Sequence, residues 1–106
     1  MSESRVVLRS TAERDITEVI EHYLGEGAPA AARAFVDELE GALDYLARHP
    51  DLGSPRYGQE LNLPGLRHVV LPKQPYVLFY ALVEDRLEVW RVLHQRRDIP
   101  DWLGLD

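Results

Sequence analysis

The run Tyr76–Val83 (YVLFYALV) carries no charge and is apolar on both of its alternating faces. A segment of that kind belongs in the interior of a sheet, because an edge or half-exposed strand alternates apolar with polar. Its neighbours supply the rest of the sheet. Leu66–Leu71 is strand-like up to the Pro72–Pro75 break, and Glu84-Asp85 turns the chain into Arg86–His94, which makes a hairpin. Upstream, Arg5–Arg9 (RVVLR) is a fourth, short β-prone run.

Two helices are expected between the first run and the others. Ser10, followed three residues later by Glu13, fits a capping box, and Ile16, Val19, Ile20, Tyr23 and Leu24 repeat with helical period. Gly25 and Gly27 stop this helix, and Pro29 suits the first turn of the next. There Ala31, Phe35, Leu39, Ala42, Leu43 and Leu46 form one face as far as His49-Pro50. The short connection predicts an antiparallel helical hairpin. From Asp51 to Gly65 the pattern lapses into a loop marked by Pro55, Gly58, Pro64 and Gly65. The order is β-α-α-β-β-β: an α+β fold, an antiparallel-type sheet with the hairpin packed on one face. Trp102, Leu103 and Leu105 suggest that Ile99–Leu105 docks as a short C-terminal helix or arm.

With 106 residues, 45% of them hydrophobic, the chain reads as one domain over 1–106, small but able to bury a core. No apolar run approaches a membrane span and the N-terminus lacks a signal-peptide core, so a soluble cytoplasmic protein is expected. The absence of cysteine removes disulfides, thiolate metal sites and cysteine nucleophiles. The net charge of −6 resides in residues 1–63, whose 12 acidic side chains outnumber 6 basic ones. Such a chain repels polyanions at long range, so direct sequence-specific DNA binding is not expected.

Basic character is local. Arg91, Arg96 and Arg97 fall within seven residues with His94 between them. Strict alternation puts Arg91 on the side of its strand with Leu87, Val89 and Leu93, and His94 on the side with Trp90 and Val92. A charge on an apolar strand is either paired or faces a cleft. Arg67 is in the same position among Leu66, Val69 and Leu71. Two readings stay open: structural ion pairs to carboxylates such as Glu60 or Asp98, or a functional site on the open sheet face. His94 suits proton transfer, or a plain hydrogen bond at the end of a strand. Glu18, His22 and Glu26 share a helix face near Asp15, a spacing that can hold a divalent metal but is more often simply the solvated face of an amphipathic helix. No metal or cofactor is expected.

The element order together with His49–Pro55 (HPDLGSP), Gly65-Leu66-Arg67, Leu78-Phe79-Tyr80 and Arg91–Asp98 (RVLHQRRD) resembles the RelE/ParE superfamily of toxins from type II toxin–antitoxin modules, closest to the ParE branch. The resemblance spans nearly the whole chain. It implies a bacterial toxin neutralised by a ParD-like antitoxin, whose C-terminal segment wraps the toxin and whose N-terminal part dimerises on DNA, in a higher-order hetero-oligomer. ParE-like members inhibit DNA gyrase by binding; RelE-like members cleave mRNA on the ribosome. The acidic chain with its single lysine, Lys73, favours the first. In that reading there is no catalytic set, and Arg91, Arg96, Arg97 and Trp102 are candidate target contacts. In the ribonuclease alternative, Arg67, Arg91 and His94 are the candidate catalytic residues. Tyr23, Tyr45, Leu61 and Leu63 are candidate antitoxin contacts in both. A toxin fold without toxicity is a third possibility.

Overall fold

The structure is a computed structural model and describes residues 4–96; the expected C-terminal helix or arm, with Arg97 and Trp102, lies outside the described residues. Seven elements follow one another: β1 (Arg5–Leu8), α1 (Ser10–Gly25), α2 (Pro29–Arg48), α3 (Arg56–Glu60), β2 (Leu66–Val70), β3 (Tyr76–Val83) and β4 (Arg86–His94). The short helix α3 stands where the sequence suggested only loop.

The four strands form one sheet in the order β1-β4-β3-β2. β3 is interior, as its composition demands, and Tyr76 through Ala81 are all buried. β2 and β4 flank it antiparallel, but β1 runs parallel to β4, with Arg5 beside Arg86 and Leu8 beside Val89. The sheet is therefore mixed, which corrects the antiparallel expectation. A strand of four residues, leading straight into a helix, carries no signal of its partner's direction. Here Arg9 remains extended, donates its N–H to Val89 O and accepts from Glu13 N–H at 3.0 Å. Arg9 is thus the N-cap of α1, and the Ser10–Glu13 capping box does not form, since the helix starts before Ser10 can act as its cap.

At the other end of α1, Gly27 takes φ +70° and Ala28 N–H bonds Tyr23 O at 2.8 Å, the left-handed closure that turns the chain into α2. Phe35, Leu39 and Leu46 from α2 and Ala12 and Val19 from α1 pack with Leu78, Tyr80, Leu87, Val89 and Val92 from the sheet. Leu24, expected on this stripe, is 54% exposed in the last turn of α1. On the opposite face a smaller cluster joins Leu66, Val77, Phe79 and Leu93, with Tyr57, Leu61, Leu63 and Trp90 against it.

The loop after α2 is held by a buried phenol. The Tyr80 hydroxyl donates to Pro50 O and accepts from Gly53 N–H, both at 2.8 Å, and Arg67 reaches Gly53 O at 2.7 Å and Asp51 O at 3.3 Å. Burial raises the Tyr80 pKa, which keeps the hydroxyl neutral and able to donate. Ser54 then pairs with His68 on the outer edge of β2. A methyl on Gly53 would come within 2.5 Å of the Tyr80 hydroxyl and 2.9 Å of His68 O. Gly53→Ala is expected to cost about 1–3 kcal/mol through overpacking, read as a lower urea midpoint.

Candidate functional site

Two surfaces stand out. The first is a polar cleft of about 470 Å³ between α1 and the end of β4, bordered by Glu18, His22, Tyr76, His94 and Arg96. Its floor is an ion pair. Arg91 Nε and Nη2 donate to the two carboxylate oxygens of Asp15 at 2.8 and 2.9 Å, and Val92 N–H donates to the same carboxylate at 2.9 Å. Both side chains are about nine-tenths buried.

The arrangement follows from where β1 stops. Beyond Leu8 and Val89 no described strand lies along the β1 edge of β4, and α1 takes over that edge. Thr11 Oγ1 donates to Trp90 O at 2.9 Å and Asp15 accepts from Val92 N–H. The β3–β4 register also slips here: Tyr80 faces Val89 but Phe79 faces Arg91, which leaves Trp90 as an extra residue. This bulge overturns the alternation read from sequence. Val89 and Val92, three apart, both join the helix-facing core, whereas Leu93 lies with Trp90 in the opposite cluster.

Three expectations change as a result. Arg91, offered by the sequence as a target contact, is buried and pairs with Asp15 and not with Glu60, while Asp98 lies outside the described residues. Glu60 pairs instead with Arg56 at 3.2 Å, and Arg67 binds loop carbonyls. Asp15 leaves the solvated row: Ala12, Asp15 and Val19 are the buried residues of α1, while His22 pairs with Glu26 at 3.7 Å on the exposed side. Among the described residues no group of histidine and carboxylate side chains is arranged to hold a metal.

The rest of the cleft is assembled from rings. Tyr76 lies between Phe35 and His94, edge-on to both at 5.2 and 5.4 Å. Burial, reinforced by the adjoining Tyr23 hydroxyl, pushes the Tyr76 pKa to about 12, so it is a neutral phenol in the cell's pH range. His94 Nδ1 accepts from Arg96 N–H at 3.1 Å, which places the ring proton of the neutral imidazole on Nε2. Arg96 is exposed at the rim. The structure thus brings His94, Arg91 and Arg96 to one cleft and leaves Arg67 on β2, in the Tyr80 clamp. Arg97 and Trp102 lie outside the described residues.

The second surface is an apolar groove of about 410 Å³ between α2 and the β2 edge. Ala42, Leu46 and Leu71 line its base, and its rim is Tyr45, Leu52 and Val70, exposed by 47%, 57% and 52%. Of the four sequence candidates, only Tyr45 belongs to it. Tyr23 packs half-buried against the main core, and Leu61 and Leu63 half-buried against the cluster of the other face. Leu52 and Val70 were missed, since one sits in an irregular loop and the other ends a strand; neither position has a periodicity to read.

His68 marks the back of β2. Its ring packs against Tyr57 at 4.9 Å and Phe79 at 5.9 Å. Burial first, and the Arg56 charge second, lower its pKa below the usual 6.5.

Comparison with known proteins converges on one group. The family profile described as the ParE toxin of the type II toxin–antitoxin system parDE matches residues 6–99. Toxin ParE1 of Mycobacterium tuberculosis is 32% identical over 97 residues, covering 91% of this chain and 94% of that protein, in both strains CDC 1551 / Oshkosh and H37Rv. A solved structure titled as the chromosomal ParDE toxin–antitoxin system from P. aeruginosa shares the fold, with a TM-score of 0.72 at 17% identity over 87% of this chain and 96% of that one.

Proposed function

This chain belongs to the ParE toxin family of type II toxin–antitoxin systems, and from that premise we propose that it inhibits DNA gyrase by occupancy and is neutralised by a ParD-like antitoxin. The observation that carries the antitoxin half is the groove between α2 and β2. Three large apolar side chains stand around it, each about half exposed, and they are three of the five exposed large hydrophobics among the described residues, the others being Leu24 and Leu82. An antitoxin segment that orders on binding needs such a strip to offset its conformational entropy. The solved ParDE system supports the same pairing through its shared fold. Because the antitoxin dimerises through its other half, the assembly is a hetero-oligomer in the cytoplasm, and DNA contacts belong to the antitoxin.

Inhibition by binding, not bond cleavage, is supported by the state of the candidate catalytic groups. Arg91 is committed to Asp15 and Arg67 to two backbone carbonyls, so neither is poised to neutralise a phosphate in flight. His94 stands in the cleft without a second acid–base group hydrogen-bonded to it among the described residues. Among the described residues no helix is long and apolar enough to cross a membrane.

Induction in cells tests the reading. Growth arrest with a DNA-damage response and intact transcripts is expected, and His94→Ala is expected to arrest growth within twofold of the parent chain. Codon-positioned cuts in mRNA that vanish in His94→Ala would establish the ribonuclease mechanism instead.

A further inference from the structure

The sheet face turned away from α1 and α2 holds a cluster that the motifs did not mark. Leu87 and Val89 enter the helix-facing core, so Arg86, Glu88 and Trp90 alternate onto the opposite face. The parallel register sets Arg5 beside Arg86 and Val7 beside Glu88. Arg9 completes the group: its Nη2 lies 3.2 Å from Glu88, and its guanidinium sits 4.1 Å from the centre of the Trp90 ring. Glu88 also accepts from Arg86 at 3.1 Å. One carboxylate therefore serves two arginines, and Arg5 has no ion-pair partner among the described residues. Glu84 and Asp85, in the turn beyond the strand ends, pair with none of the three.

Such a placement is costly for a sheet. Arg5 and Arg86 occupy paired positions on neighbouring strands, where like charges repel. The Arg9 and Arg86 side chains are 45% and 37% exposed, although Arg86 Nε is itself buried and unpartnered, while the shared Glu88 is only 16% exposed. The surface seen from outside is cationic on a chain of net charge −6. Stacking on Trp90 also holds Arg9 in place, so less rotamer freedom remains to be lost on binding.

We propose that the face formed by Arg5, Arg9, Arg86 and Trp90 docks an acidic segment of the protein this toxin inhibits. The proposal rests on the reading of the chain as a toxin that acts by occupancy. Guanidinium forks match carboxylates in bidentate geometry, and the acidic chain disfavours a nucleic-acid backbone at long range. The position separates this face from the antitoxin groove: the arginines lie at the β1/β4 side of the sheet and the groove at β2, the opposite edge.

The test compares Arg5→Glu/Arg9→Glu with the parent chain in supercoiling by purified gyrase holoenzyme, in antitoxin binding and in growth arrest. At least 10-fold more of the variant is expected for half-inhibition, with antitoxin affinity within twofold, which also shows that the variant is folded. Should it not fold, Arg5→Gln/Arg9→Gln carries the same comparison. Unchanged inhibition overturns the proposal, as does an equal loss of antitoxin affinity, or binding of a bare DNA duplex by the parent chain that the variant loses. If the parent chain arrests growth without affecting supercoiling, gyrase is the wrong target, and growth arrest alone decides the surface. Loss of arrest in the variant then supports it, and arrest as in the parent overturns it.

Discussion

Asp15→Ala is expected to lower stability by about 3–5 kcal/mol, the usual cost of removing one partner from a buried ion pair. The substitution strips two charge-assisted hydrogen bonds from Arg91, and leaves the Val92 N–H at the β4 edge without its acceptor. A domain of this size has roughly 5–15 kcal/mol in total, so a large share of its stability depends on one carboxylate. Urea unfolding followed by circular dichroism measures the loss. Asp15→Asn is expected to fall between, since its amide oxygen can still accept from Val92. Removing both charges in Asp15→Ala/Arg91→Met should recover a large part of the loss, because no buried guanidinium then remains to be compensated. Equal instability of the single and double variants would contradict this assignment.

The second large effect concerns the groove. Leu52→Asp/Val70→Asp places two carboxylates on the apolar rim, at two positions more than half exposed in the free protein, so the fold itself should tolerate them. In the complex those charges would be driven against an apolar partner segment, and at interface centres such losses amount to 2 kcal/mol or more. Antitoxin affinity is therefore expected to fall about 100-fold, measured by calorimetry, with the urea midpoint of the free toxin nearly unchanged. Growth arrest should persist and become insensitive to antitoxin co-expression. Unaltered affinity would remove the groove from the antitoxin interface.

Much of the architecture was legible because it rests on periodicity. Tyr76–Val83 announces an interior strand, and the stripes of α1 and α2 announce a hairpin that must cover it. What was not legible depends on pairing between distant residues. The direction of β1 is decided by where Arg9 and Leu8 meet Val89, and nothing in RVVL encodes that meeting. The bulge at Trp90 inverts the faces of every later residue in β4, so alternation counted from Leu87 misplaces Arg91 and His94. Asp15 did leave a trace. It falls at Ala12, Asp15, Val19 spacing, on the buried stripe, and a carboxylate on an apolar helix face calls for a cation on the strand below. Reading it together with Arg91 would have found the pair.

Several of the residues behind the family resemblance serve as scaffold. In HPDLGSP, Pro50 and Gly53 meet the Tyr80 hydroxyl, and Arg67 closes the loop from β2. A shared clamp of this kind explains a shared fold and leaves the target to the surfaces around it. The candidate surfaces are composed of residues such as Arg5, Leu52 and Val70, whose roles depend on what the fold brings beside them.

The central claim is that harm comes from occupancy and is lifted by a competing partner. Titrating purified gyrase holoenzyme with this chain, then adding the antitoxin, tests it most directly. Supercoiling should fall to a plateau at saturating toxin and return once antitoxin matches toxin mole for mole. Full supercoiling at saturating toxin, with mRNA cut on translating ribosomes by the same preparation, would contradict it.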